Sequence, residues 1–351
     1  MHVLLTGAAG FIGSRTAEFL LAEGHTVLGV DNWNDAYAVQ LKYERLARVA
    51  RTAGCGEAAE ALATAAREGS EPGEEVRDFR GEGFRFLHGD ISDPDFVEEL
   101  FADDSFDAVV NLAARAGVRA SMEDPLVYLD TNARGTLLLL EAMKKAGTRK
   151  FVLASTSSLY AGQPMPFTED LPVNTPVSPY AATKKAAEVL AYTYHFLYGT
   201  DVSVLRYFTV YGPAGRPDMS LFRFTLWISE GRPLQLYGDG TQSRDFTYVD
   251  DIARGTVAAL QPLGYEIVNL GGGENPVSLN EVIHQLEELT GASAEIEYRD
   301  SFRADVPSTW ANIEKARERL GWQPETPLSE GLRECVDWYR ENRDWVKDLP
   351  V

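Results

Sequence analysis

HVLLTGAAGFIGSRTAEFLLAEGHTVLGVD, residues 2–31, decides the fold. His2–Leu5 reads as a short buried strand, Thr6–Gly13 as a glycine-rich turn, Ser14–Glu23 as a helix stopped by Gly24, and Thr26–Val30 as a second strand. Gly7, Gly10 and Gly13 permit a tight turn, let backbone approach a pyrophosphate, and let the helix pack closely on the strand. The N–H groups of Phe11, Ile12 and Gly13 at the helix start, with their partial positive charge, face the phosphates. Such a triplet alone says little. Between a strand and a helix it reads as a dinucleotide-binding turn.

Asp31 closes the second strand, where a carboxylate can accept from both ribose hydroxyls. It would repel a 2′-phosphate, and the following Asn32-Trp33-Asn34 supplies no cation to offset that repulsion. The expected cofactor is therefore NAD rather than NADP, with Asn32 beside it.

Working outward, Phe84–His88, Ala108–Leu112, Phe151–Ala154 and Ser203–Arg206 read as further short apolar strands. Helical patterns at Pro94–Phe101, Pro125–Ala146 and Pro179–Leu197 separate them. This alternation implies an α/β fold with a doubly wound parallel sheet of Rossmann type, covered on both faces. Asp90 and Ile91 of GDI, and Leu112, Ala113 and Ala114 of NLAA, end two strands and should line the cofactor pocket.

After about residue 208 the texture becomes Pro-, Gly- and aromatic-rich, with loops and short strands expected through Tyr211–Tyr248. Val249–Leu260 and Glu266–Leu270 look like one more helix and strand of the sheet. Asn280–Thr290 and Ile313–Trp345 read as helical, with an extended piece at Ala294–Tyr298. The expected division is a cofactor domain of residues 1–207 plus about 245–271, and a smaller C-terminal α/β domain of about 208–244 and 272–351. Residues 51–83 read as an insertion, with Glu57–Glu68 an exposed, solvated helix.

YAATK places Tyr180 and Lys184 one helical turn apart, on one face. A tyrosine with a pKa near ~10 is a poor base at neutral pH. A neighbouring ammonium and a positive nicotinamide favour its phenolate, giving a base suited to an alcohol proton. STSSLY, Ser155–Tyr160, sets a row of hydroxyls where the Phe151–Ala154 strand emerges.

The glycine turn, Asp31, NLAA, the strand-end hydroxyls and Tyr-x-x-x-Lys together resemble the extended short-chain dehydrogenase/reductase family of nucleotide-sugar enzymes, from residue 3 to about 340. The resemblance implies a catalytic triad of Thr156, Tyr180 and Lys184, an NAD contact at Asn132, a UDP-sugar substrate, and a homodimer through the helices at Pro125–Ala146 and Pro179–Leu197. RDFTYVDD and RADVPS resemble diphosphate-binding segments, giving Arg244 and Arg303, with Asp305 toward the nucleotide ribose. LQLYGDG resembles the uracil border, giving Gln235 and Tyr237.

Dehydratases and decarboxylases of this family carry an acid immediately after the catalytic Thr/Ser, where this chain has Ser157 and then Ser158. The remaining fate of a 4-keto sugar is return of the hydride to its opposite face. FTVYGPAGRPDM, DNWNDAYAVQLKYERL and ARAGVRASMEDP resemble the branch that epimerises UDP-glucuronate at C4. On that resemblance Ser157, Ser158, Thr209 and Arg216 surround the sugar carboxylate, and Arg119 lies there or at the diphosphate. The alternatives are a UDP-glucose/UDP-galactose 4-epimerase, which would carry Asn in place of Thr209, and a UDP-glucuronate decarboxylase.

A net charge of −20 over 351 residues argues against nucleic acid or an anionic membrane as partner. No apolar run approaches the ~20 residues that span a bilayer. Cys55 and Cys335 form no disulfide framework, and Met1-His2 leads directly into a strand, so a cytoplasmic protein is expected. The five histidines are scattered without ligand spacing, so no metal is expected.

Overall fold

In the computed structural model, which describes residues 1–273, 276–300 and 306–351, strand emergence organises the molecule. Strands β1 (His2–Thr6), β2 (Thr26–Asp31), β3 (Asp78–Gly81), β4 (Phe84–His88), β5 (Ala108–Asn111), β6 (Lys150–Thr156) and β7 (Asp201–Tyr207) belong to one sheet. The short strands β8 (Thr209–Tyr211), β9 (Leu234–Tyr237), β10 (Ser243–Arg244) and β11 (Phe246–Tyr248) lie outside it. Strand β12 (Tyr265–Leu270) returns to its edge, giving the order β12-β7-β6-β5-β1-β2-β4-β3. Every pairing in this sheet is parallel except β3 with β4. Outside it, β13 (Val277–Ser278) pairs with β10, and β14 (Ile296–Arg299) with β9.

All seven residues of β6 are buried, without alternation, as a sheet covered on both faces requires. The cover on this half comes from α1 (Phe11–Ala22), α2 (Gln40–Thr52), α3 (Gly56–Glu68), α4 (Pro94–Asp103), the short α5 (Ala120–Glu123) and α6 (Pro125–Tyr128), α7 (Thr136–Ala146) and α8 (Pro179–Tyr198). Helix α8 starts where it must. The Ser178 hydroxyl accepts from the Ala181 N–H at 3.2 Å, Pro179 takes the first helical position, and Gly199 at φ 69° ends it.

Four expectations need correction. Glu57–Glu68 is not a solvated helix: Ala58, Ala59, Leu62, Ala63, Ala65 and Ala66 of α3 are buried in one apolar cluster with Leu46, Ala47 and Ala50 of α2. Alanine is small enough for two helices to approach closely, so an Ala-rich face can be a packing face. The same 51–83 stretch also contributes β3, an antiparallel edge strand folded back on β4. Pro125–Ala146 is not one regular helix, because a π-helical segment, Leu129–Gly135, interrupts it. Finally, the stretch after residue 208 contains α9 (Ser220–Ser229), whose Leu221, Phe224, Trp227 and Ile228 are buried. With α10 (Val249–Ala258), α11 (Leu279–Thr290), α12 (Glu314–Leu320) and α13 (Leu328–Val346), it completes the helices of the described residues. A C-terminal cluster joins Leu221 and Phe224 to Leu234, Val282, Leu332 and Tyr339, and takes in Ala38, just before α2, and Leu41 in its first turn.

Candidate active site

The strand ends and the C-terminal segments enclose a cavity of about 1440 Å³. That exceeds the ~300–1,000 Å³ of a single small-ligand pocket and leaves room for a dinucleotide and a second ligand. Its position outside the carboxyl ends of a parallel sheet is where such folds bind ligands.

One half is built by the glycine turn. Gly7 sits at φ 73°, and a Cβ there would lie 2.7 Å from the Ala113 backbone nitrogen. A Cβ on Gly13 would run into the Gly7 carbonyl. The turn therefore packs backbone against backbone, and α1 begins at Phe11, leaving its first N–H groups without intrahelical acceptors. Gly10, Phe11, Ile12, Gly13, Asp31, Asn32, Asp90 and Ile91 line this half, as do Leu112, Ala113 and Ala114. These residues fit a dinucleotide.

Asp31 is buried and accepts from the N–H groups of Ala9 at 3.2 Å and Trp33 at 2.9 Å. It also faces Lys42 of α2, whose Nζ lies 3.4 Å away. The neighbouring triplet supplies no cation, yet the fold brings one from a helix further along the chain. Lys42 lines the cavity and is spent on Asp31, so the carboxylate still opposes a 2′-phosphate. Asn132 lies on the π-helical segment that precedes α7. It is buried outside the cavity lining, and its amide brackets the Arg115 backbone at 2.9 Å on both sides and Thr183 Oγ1 at 3.1 Å. It positions the loop after NLAA.

The second half carries the chemistry. Thr156 is the last residue of β6, and Ser157–Tyr160 follow as one 3₁₀ turn, so strand geometry aims these hydroxyls at the cavity. The Tyr180 phenol faces the Thr156 hydroxyl. Burial raises the Tyr180 pKa, against which the Thr156 hydroxyl and the Arg216 charge both work. Lys184 donates to the Ala154 carbonyl at 3.0 Å. Burial brings its pKa down to about 8, with Glu188 opposing. Arg216 is thus one cation acting on the phenol, and Lys184, anchored to the Ala154 carbonyl, places a second positive charge one helical turn away.

Because burial depresses the Lys184 pKa, its ammonium is present below about pH 8 and lost as pH rises through that value. Support for proton removal by Tyr180 should fade with it. Steady-state rates should therefore fall above about pH 8, and Lys184→Arg should move that limb to higher pH, read from a full pH–rate profile.

Ser155, the first hydroxyl of the row, does not enter this chemistry. It is buried and donates to Glu188 at 2.6 Å. Glu188 in turn takes a two-pronged pair from Arg206 at 2.9 and 2.8 Å, and Arg206 donates to the Tyr160 hydroxyl at 2.7 Å. Burial favours a neutral Glu188, but Arg206 overrides it and keeps the carboxylate ionised. This network ties α8 to β6 and β7 beneath Lys184.

Ser157, Ser158, Thr209, Arg216, Arg119, Gln235, Tyr237 and Arg244 line the second half. Arg216 donates through Nε and Nη2 to Asp218 at 3.0 and 2.6 Å, and to the Ala116 carbonyl at 3.3 Å. The Arg119 guanidinium lies 4.4 Å from the Tyr237 ring centroid. Arg303 and Asp305 lie outside the described residues. Arg223 escaped the sequence reading: it lines the cavity, and its Nε is buried without a hydrogen-bond partner among the described residues. Its helical spacing from Met219 and Ser220 could have indicated it.

Residues 3–271 match the NAD dependent epimerase/dehydratase family. A UDP-glucuronate 4-epimerase of Thermodesulfobacterium geofontis is 55% identical over 100% of this chain and 99% of that relative. The crystal structure of a Bacillus cereus UDP-glucuronic acid 4-epimerase, in complex with UDP-glucuronic acid and NAD, superposes with a TM-score of 0.82 at 36% identity, covering 97% of this chain and 99% of the other. A Thermotoga maritima UDP-glucose 4-epimerase with UDP-glucose gives a TM-score of 0.80 at 29% identity, covering 98% and 100%. With its glycine turn, strand-end threonine and Tyr–Lys helix gathered around one cavity, this chain belongs to the NAD dependent epimerase/dehydratase family.

Proposed function

We propose that this protein is an NAD-dependent 4-epimerase of UDP-hexuronates, interconverting UDP-glucuronate and UDP-galacturonate. The observation that carries this reading is the sugar end of the cavity. Ser157, Ser158, Thr209 and Arg216 line it beside Thr156 and Tyr180, with a hydroxyl where related dehydratases and decarboxylases place an acid.

Tyr180, facing the Thr156 hydroxyl, takes the proton from the sugar O4. NAD, held by the glycine turn and Asp31, would supply the chemistry of taking up the C4 hydride and giving it back, so that no net redox change remains. Tyr180 then gives its proton back to O4. Lys184 holds a positive charge under this relay while anchored to the Ala154 carbonyl. Arg119, Arg223 and Arg244 present guanidinium groups suited to the diphosphate.

A 4-keto uronate is a β-keto acid, and it loses CO₂ when its carboxylate aligns with the carbonyl π system. Hydroxyl donors and the Arg216 guanidinium would keep that group ionised and out of alignment. Incubation with UDP-glucuronate should give UDP-galacturonate. UDP-pentose as the main product, or turnover of UDP-glucose alone, would refute the assignment. Arg216→Ala or Ser157→Asp should raise the pentose share severalfold, as removal of one charged hydrogen bond permits. An unchanged epimer-to-pentose ratio in both variants would sink the clamp.

We also read residues 1–207 with about 245–271 as the cofactor-binding unit and the remainder as the nucleotide-sugar unit. A cytoplasmic homodimer is part of the same reading. Its support is an apolar surface on α6 and α8, where Leu126, Phe196 and Leu197 are 69%, 74% and 58% exposed. Light scattering should give twice the 38.7 kDa chain mass. No helix among the described residues is long and apolar enough to cross a membrane.

A further inference from the structure

Arg45 of α2 is 1% exposed and has no carboxylate partner among the described residues. A buried guanidinium without a counter-ion is expensive unless its donors are satisfied. Here Nε donates to the Ala214 carbonyl at 2.8 Å, Nη2 to the Gly215 carbonyl at 2.9 Å, and Nη1 to the Tyr37 hydroxyl at 2.7 Å. The rings of Tyr37 and Phe11 flank it, with centroids at 5.3 and 5.6 Å. Phe11 is the first residue of the cofactor helix α1.

The two carbonyls belong to the turn that delivers Arg216. Ala214 adopts φ 51°, a left-handed conformation that a residue with a Cβ keeps only when its surroundings impose it. Gripping successive carbonyls also fixes both peptide planes, and so turns the Gly215 and Arg216 N–H groups away from Arg45. A planar fork does this; a lysine ammonium has no such geometry.

Charge completes the picture. Arg216 is paired with Asp218, and Lys42 with Asp31. The Arg45 charge is the one left uncompensated beside them, and Arg45 and Arg216 are close enough that each cation disfavours the other. Such a cluster gains from an incoming anion.

We propose that Arg45 is a positioning and specificity residue: it locks the Ala214–Arg216 turn so that Arg216 is aimed at the sugar, and its unpaired charge biases that end of the cavity toward an anionic sugar. The inference rests on the UDP-hexuronate reading above. Tyr37, which lines the cavity, is the link between the two sites of action.

The test compares wild type, Arg45→Lys, Arg45→Met and Tyr37→Phe as NAD-loaded enzyme. Calorimetry gives Kd for UDP-glucuronate and for UDP-glucose, and product analysis gives the pentose share. Arg45→Met should weaken UDP-glucuronate about tenfold while UDP-glucose stays within about twofold, the scale of one charge-assisted contact. Arg45→Lys should keep more of that preference yet raise the pentose share, because it retains the charge and loses the fork. Tyr37→Phe should shift both readouts less, in the same direction, and it carries the test alone if the Arg45 variants do not fold. Equal weakening of both sugars, or unchanged preference and product ratio, overturns the inference. A wild-type protein that makes no UDP-galacturonate overturns the function itself before any variant is compared.

Discussion

Tyr180→Phe should lower turnover about a thousandfold, within the range a positioned general base supplies. The loss follows from the site's economy of ionisable groups. Thr156, Ser157 and Ser158 offer hydroxyls that do not ionise near neutral pH, and Lys184 is turned to the Ala154 carbonyl. Among these groups the Tyr180 phenol is the one whose ionised form is favoured by both Thr156 and the Arg216 cation. Removing its oxygen leaves the packing intact, so the variant should purify with NAD bound and keep wild-type affinity for UDP-glucuronate. Initial rates and NAD content, measured on the same preparation, check both halves. A variant retaining more than about a tenth of the wild-type rate would place the base elsewhere. Thr156→Ala should cost less, because the phenol remains.

Arg206→Met should destabilise the fold by about 3–5 kcal/mol, the usual result of stranding one member of a buried ion pair. Arg206 and Glu188 are each 1% exposed, and the pair holds α8 against β6 and β7. Glu188 would be left with Ser155 and the more distant Lys185, whose Nζ lies 3.4 Å away. Replacing both members, as Glu188→Leu with Arg206→Met, should recover most of that loss, since two apolar side chains need no counter-charge. It should not recover activity, because Glu188 is the group that raises the Lys184 pKa against burial. Denaturant unfolding of the single and double variants, with rates on the folded fraction, separates these effects. Equal stability of wild type and Arg206→Met would deny the pair its structural role.

How much of this was legible along the chain follows the distance over which each device works. The glycine turn, Asp31 at a strand end, Thr156 at another and Tyr180 with Lys184 on one helix face are local patterns, and all line one cavity. Local patterns can also mislead. An Ala-rich segment reads as solvated, yet α3 buries that face against α2.

Lys42 and Arg45 show why other parts were hidden. Each sits on α2 among ordinary helical residues, and each acts on another element: the Asp31 carboxylate at the end of β2 for one, the distant carbonyls of Ala214 and Gly215 for the other. Backbone carbonyls are the same at every position, so a sequence gives no sign of which will meet an arginine. Arg206 reads as the end of a strand, and nothing local pairs it with Glu188 of the preceding helix.

By itself, then, the sequence determined the parallel sheet, the dinucleotide turn and the chemical types at the reacting end, because periodicity, glycine placement and i to i+4 spacing act within a few residues. Only the tertiary structure decided which charges are compensated. Burial and the meeting of charges depend on how whole elements pack, and that packing sets Lys184 near pH 8, spends Lys42 on Asp31, and leaves Arg45 to hold the turn that carries Arg216.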